Sequence, residues 1–266
     1  MTAVTRVRTM KAAIFYGEKD IRVEERPIPE PLPEEVLIRV RSAGICGSDL
    51  LGYNGIGSWQ PPRGVGIEQG HELAGEIVEL GSSVTGLSVG QRVAVQPEHL
   101  ISCGSCRECS NGLPHLCRHL GLLHGTRQSS HGFSQYDTCV ATNVWPIPDT
   151  VSFDSAALAD CYGVAVHAIH RVGSVSGKLV AVIGCGTIGL SIGQTARALG
   201  SGRVVMIGDQ ANEARHLIVK THESVAWCSV TRDGRGTVGA PLVWLPALPL
   251  TWGREVPLQV AAHESP

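Results

Sequence analysis

Leu179-Val-Ala-Val-Ile183 runs directly into Gly184-Cys-Gly186-Thr187-Ile188-Gly189, and this stretch decides the fold of the second half of the chain. An apolar segment of strand length is followed by a G-x-G-x-x-G turn. Apolar residues then recur at Ile188, Ile192, Ala196 and Leu199, the three-and-four spacing of one helix face. Gly200 is placed to end that helix. A second apolar run, Arg203 to Ile207, leads to Asp209, about 20 residues beyond the turn. Strand, glycine turn, helix and strand are the opening of a doubly wound parallel sheet.

In that context the turn reads as a dinucleotide fingerprint. Gly184 allows the tight turn, Gly186 lets a pyrophosphate approach the backbone, and Gly189 permits helix–strand contact. Thr187 and Ile188 fall in the first helical turn, whose unpaired N–H groups and positive dipole end face the phosphates. Asp209 would accept hydrogen bonds from a ribose 2′-hydroxyl and would repel a 2′-phosphate. Gln210 rather than Arg follows it, so the expected cofactor is NAD and not NADP.

Working outward, Ala156 to Val172 reads as one helix, with Ser152 or Asp154 as its N-cap. From Lys11 to about Ile147 short β-branched runs alternate with turn residues, as in Val36–Val40, Leu73–Leu80 and Arg92–Val95. That pattern predicts a compact, barrel-like β domain. Beyond Asp209 a third helical stretch covers Asn212 to about Val219. After about Ser224 the pattern fails: residues 229–266 are rich in proline, have no helix-length periodicity, and carry Trp244 and Trp252 without order. The organisation expected is a zinc-binding β domain over 1–150, a partial parallel-sheet domain over 151–228, and an unassigned divergent tail over 229–266.

Composition narrows the class. Of 266 residues 43% are hydrophobic and 17% charged, which suits a buried core, and a net charge of −2 gives no case for nucleic acid or a membrane surface as partner. No segment reaches the roughly 18 consecutive apolar residues of a membrane span, and the first ten residues lack the apolar core of a signal peptide. A soluble, cytoplasmic protein is the expectation. In that reducing compartment Cys103, Cys106, Cys109 and Cys117 point to metal rather than to disulfides. Two-residue gaps let successive thiolates turn onto one tetrahedral ion at about 2.3 Å. With four protein ligands no position is open to substrate, so this should be a structural zinc.

A second set is dispersed: Cys46 in Gly44-Ile-Cys-Gly-Ser-Asp49, His71 in Gly70-His-Glu72, and Asp160 with Cys161 in the predicted helix. A catalytic zinc takes three protein ligands and keeps one position open. Residue types alone leave that reading beside a plain one, in which the cysteine is a small core residue and the histidine a satisfied polar group.

The order of these motifs, with Val78-Glu-Leu-Gly81, Val84 to Gly90 and Arg92-Val93 between them, resembles the medium-chain zinc-dependent alcohol and polyol dehydrogenases from about residue 11 to 220. The resemblance is to the sorbitol and threonine dehydrogenase branch. It implies a GroES-like β-rich catalytic domain followed by a Rossmann sheet. It also implies NAD, a structural and a catalytic zinc, a small alcohol or polyol as substrate, and assembly that is often dimeric or tetrameric. Cys46 and His71 are then catalytic zinc ligands. For the third, Asp160 comes first, because Asp160 and His167 keep the spacing of the branch's carboxylate and histidine; Glu72 and then Cys161 follow. Asp49 is expected to accept a hydrogen bond from His71, and Ser48 to pass the substrate proton outward. Where many relatives carry a relay histidine this chain has Leu51, so the outer path would use the ribose, water, His124 or His131. The family's further strands are not recognised after Ser224. A truncated or frame-shifted chain, inactive as an enzyme, is therefore the competing expectation.

Overall fold

The computed structural model describes residues 8–56, 66–96, 102–119 and 132–208, and the backbone of 225–230 and 236–237. The chain forms two compact units, Met1–Asp160 and Cys161–Pro266.

The first unit is built from antiparallel sheets. β1 (Thr9–Gly17) lies between β2 (Asp20–Pro27) and the short β4 (Ile67–Glu68). Along β1 Met10, Ala12 and Ile14 are buried at every second position, the mark of a strand with one face inward. A five-stranded sheet follows in the order β7 (Tyr136–Val140), β3 (Glu35–Gly44), β5 (Glu72–Leu80), β6 (Arg92–Val95), β8 (Val144–Pro146). Its main core joins Val36 and Ile38 of β3, Leu73 and Ile77 of β5, Val93 and Val95 of β6, Cys139 and Val144. Full burial of such aliphatic side chains stabilises by about 1.5–3 kcal/mol each.

Two register shifts interrupt the β3–β5 ladder, after Leu37 and after Val40. The pairing then runs Ser42↔Ala74, Ala43↔Leu73, Gly44↔Glu72. This last pair brings the end of β3, which leads into Cys46, beside the start of β5, which follows His71. α1 (Gly47–Tyr53) begins directly after Cys46.

Small residues let a helix sit on this sheet. Ala156 and Ala157 of α3 (Phe153–Ala157) pack against Ala74 and Ala94. Ser152 caps α3 by accepting from the Ser155 N–H at 3.1 Å. Arg92 holds the approach to α3, donating to the Pro148 carbonyl at 2.9 Å and lying 4.4 Å from the Phe153 ring centroid. The single helix expected over Ala156–Val172 is two: Leu158 caps α3 with near-bridge torsions, and α4 (Ala159–Val172) starts anew.

In the second unit β9 (Leu179–Ile183) pairs in parallel with β10 (Arg203–Gly208), Val182 opposite Met206. α5 (Thr187–Ala198) connects them, and Gly200, at φ 85°, follows its end. Val182, Val204, Met206, Ala196 and Cys185 form the core with Ile169 and Val175. The expectation that nothing after Ser224 continues the sheet is corrected. β11 (Val225–Val230) adds in parallel to the far side of β10, with Val204 opposite Val225, and β12 (Gly236–Thr237) pairs antiparallel to β11. Parallel pairing is a contact between strands distant in sequence, so no local periodicity in Val225-Ala-Trp-Cys-Ser-Val230 announces it. The predicted helix Asn212–Val219 lies outside the described residues, as do Asp209, His124 and His131. No helix among the described residues is long and apolar enough to cross a membrane.

Candidate metal centres and nucleotide turn

Cys46, His71 and Glu72 converge: one ligand atom from each lies within 4.8 Å of the others. Two chain segments produce this, one carrying Cys46 and the other His71 and Glu72 side by side. Cys46 sits at the N-cap of α1, in extended conformation. His71 follows Gly70, whose φ of 96° suits glycine and whose missing Cβ leaves room for Phe133. Glu72 starts β5 opposite Gly44, and a Cβ on Gly44 would overlap the Glu72 carboxylate. Gly44 thus creates the space in which a carboxylate only 4% exposed can lie.

The surroundings fix this loop. Asp49 Oδ2 accepts from the Cys46 backbone N–H at 2.8 Å. Its Oδ1 is 3.8 Å from His71 Nδ1, longer than a hydrogen bond, so the expected Asp49–His71 bond is here an ion-pair distance. Burial pushes the Asp49 carboxyl above its ordinary value, against the opposing pull of the Cys46 N–H and His71. Asp160 is also raised, by burial first, with His71 acting the other way and Glu72 adding to the rise. Asp160 therefore belongs to the electrostatic surroundings of the pair, but the compact three-residue group contains Glu72 in its place. Cys161 is buried in the second unit. Ser48, in the first turn of α1, is exposed, as is Leu51.

The second centre is the cysteine loop, with all four thiols within 4.8 Å of one another. Sulfur separations are 3.4 Å for Cys106–Cys109, 3.8 Å for Cys106–Cys117 and 4.0 Å for Cys103–Cys109. A tetrahedron with metal–sulfur bonds of about 2.3 Å has edges of about 3.8 Å, so the cage fits zinc. Backbone donors point at the sulfurs: Cys106 N to Cys103 Sγ, and Cys103 N and His119 N to Cys117 Sγ, each 3.3 Å. Backbone N–H groups of Ser105 and Cys106 and the Ser105 hydroxyl bring the Cys103 thiol down to about 6. Burial, reinforced by the neighbouring thiols of Cys106 and Cys117, pushes Cys109 up to about 11. Four thiolates this close repel one another unless a cation sits among them.

In the second unit Gly184 has φ 101°, and its N–H donates to the Ile207 carbonyl at 2.7 Å. Gly186 is the N-cap of α5, and a Cβ on Gly189 would overlap the Gly184 carbonyl oxygen. Thr187 and Ile188 are exposed in the first turn of α5. The described part of the fingerprint has the form a nucleotide phosphate needs: exposed helix N–H groups with no side chain capping them.

Sequence reasoning placed Cys46 and His71 as a pair but ranked Asp160 over Glu72. The signal for Glu72 was the strand pairing of Gly44 with it, which only the register discloses. The first unit thus presents a four-thiol cage and a three-donor group, and the second a parallel sheet with a glycine-rich turn. Residues 32–149 match the alcohol dehydrogenase GroES-like domain. The chain is 38% identical over 201 residues to a sorbitol dehydrogenase of Bacillus subtilis, covering 75% of this chain and 56% of that one. It is 39% identical over 199 residues to an L-threonine 3-dehydrogenase of Xanthomonas campestris pv. campestris, covering 74% and 57%. Galactitol-1-phosphate dehydrogenase from Escherichia coli superposes with a TM-score of 0.70 at 29% identity, over 82% of this chain and 61% of that structure. Over the matched residues the chain is similar to zinc-type alcohol and polyol dehydrogenases. It spans a little over half the length of the two curated relatives.

Proposed function

We propose that the protein is a zinc-dependent oxidoreductase that moves a hydride between a secondary alcohol, of polyol type, and NAD. The observation that carries this is the meeting of Cys46 with the adjacent His71 and Glu72 from a second chain segment, a donor set that fills three positions of a zinc ion and leaves one. When bound, zinc there supplies Lewis acidity toward the substrate oxygen, and NAD is the hydride acceptor.

The chain's own residues do the rest. Cys46, His71 and Glu72 hold the ion, and Asp49, through the Cys46 N–H, keeps the Cys46 loop in place. Ser48 takes the hydroxyl proton of the substrate as its C–H bond gives up the hydride. Leu51 cannot accept that proton, so it leaves Ser48 through water or the ribose. Gly184, Gly186 and Gly189, with the N–H groups at Thr187 and Ile188, bind the pyrophosphate, and Asp209 binds the ribose. Cys103, Cys106, Cys109 and Cys117 hold a second, structural zinc. The names of two curated relatives, a sorbitol dehydrogenase and an L-threonine 3-dehydrogenase, support starting the substrate search with small polar alcohols.

The test is reduction of NAD or NADP, followed by the near-ultraviolet absorbance of the reduced ring, by zinc-replete protein offered sugars, polyols, cyclitols and simple alcohols. Turnover with NAD that is lost in Cys46→Ser supports the reading. Protein that holds zinc yet binds no NAD and oxidises nothing refutes it, and would leave a metal-stabilised β domain without dehydrogenase activity.

A further inference from the structure

The four-thiol cage is drawn from two arms of one loop. Cys103, Cys106 and Cys109 lie on the first, where Cys106 is the N-cap of α2 (Arg107–Ser110). Cys117 lies on the second, reached after Gly112, at φ 73°, and a 3₁₀ turn over Pro114–Leu116. Joining the arms outside the cage is a two-pronged ion pair. Arg118 Nε donates to Glu108 Oε2 at 2.9 Å and Nη2 to Glu108 Oε1 at 3.0 Å. Arg118 adjoins Cys117, and Glu108 stands between Cys106 and Cys109.

We propose that the Glu108–Arg118 pair is a clasp that holds Cys117 against the other three thiols and sets how slowly the metal leaves this cage. The inference rests on the reading that the cage holds zinc. Metal escapes from such a site one ligand at a time, and the ligand with most freedom to leave is the one from the separate arm. Each time the Cys117 sulfur lets go, the loop must swing open before the remaining three bonds can break. A planar guanidinium locked on a carboxylate by two parallel hydrogen bonds keeps the arms together during that interval, so the sulfur returns before the ion departs. Clasp and cage are thus separate closures of one loop, and the clasp persists when a metal bond opens.

The pair is partly exposed, with side-chain exposures of 62% for Arg118 and 23% for Glu108, so its effect is moderate and sensitive to salt. Arg118→Ala is expected to speed metal release about 5-fold at low ionic strength, the scale of an exposed bidentate pair. Arg118→Lys, which keeps the charge but not the fork, should fall between. The charge-reversed double variant Glu108→Arg with Arg118→Glu should restore slow release, whereas Glu108→Arg alone should not.

The experiment uses the full chain with cadmium in place of zinc, because a four-thiolate cadmium site has a much stronger sulfur-to-metal absorption than a site with the single thiolate of Cys46. Loss of that band to excess chelator gives the release rate, measured from low to high sodium chloride. The clasp is supported if the wild-type rate climbs with salt toward that of Arg118→Ala while the variant's rate stays level. It is overturned if the band is present and both proteins release cadmium at one rate at every salt concentration. If wild-type protein shows no such band at all, the metal reading of the cage fails first and the clasp with it. Glu108→Gln, which keeps size and shape, checks that the effect comes from charge and not from a disturbed loop.

Discussion

Replacing Gly44 by alanine should empty the three-donor site while leaving the four-thiol cage intact. A Cβ on Gly44 would overlap the Glu72 carboxylate oxygen and come within 3.1 Å of Glu72 Cβ and 3.3 Å of its Cδ. Gly44 is not among the glycines with positive φ, so backbone strain plays no part and the contact decides. Two responses are open. The strands β3 and β5 part at Gly44↔Glu72, which as overpacking costs about 1–3 kcal/mol. Otherwise the Glu72 side chain, 4% exposed, rotates out of the group and takes one of three donors with it. Losing even an outer partner of a ligand weakens metal sites about 10- to 100-fold, so loss of Glu72 itself should do at least that. Gly47→Ala is the matched control, because a Cβ there meets nothing within 4 Å. Zinc affinity by competition with a chromogenic chelator, together with urea unfolding, reads both responses. The reasoning is refuted if Gly44→Ala binds both metals as tightly as wild type and unfolds at the same urea concentration.

Three further outcomes follow from the geometry. Ile77→Ala, at a position 0% exposed and central to the β3–β5–β6 core, should destabilise the first unit by about 2–5 kcal/mol in urea unfolding. Gly189→Ala should abolish NAD binding in calorimetry without changing zinc content, since its Cβ would strike the Gly184 carbonyl and lift α5 from β9. Glu68 is held above the ordinary carboxyl value by burial, with Arg26 opposing. For an acid raised in the folded state, stability is lost as pH rises from the unfolded pKa through the folded one, because the unfolded chain ionises first. Glu68→Gln should therefore be more stable than wild type at neutral pH, and this advantage should vanish below about pH 4, where both states of the wild type are protonated. An unfolding midpoint that moves equally at both pH values would contradict it.

Local signals carried much of the architecture. Strands at Arg92–Val95 and Leu179–Ile183 were legible as short apolar runs beside turn residues, and the helix that follows Gly186 because burial on one face leaves a period in the chain. The break at Leu158 was not, because Ala156 to Val172 holds an unbroken helical composition and only the packing of Ala156 and Ala157 on Ala74 and Ala94 sets α3 apart.

The sequence by itself determined the four-thiol cage, since two-residue gaps bring thiols onto one centre whatever surrounds them, and it determined the glycine turn, whose residues act through their own backbone. Only the tertiary structure shows that the Glu72 carboxylate lies within 4.8 Å of the ligand atoms of Cys46 and His71, and that Val225–Val230 is a third parallel strand. Both depend on register between segments far apart in the chain, where a carboxylate's position is set by the glycine across the ladder from it. A linear sequence holds no record of that pairing until the strands have met.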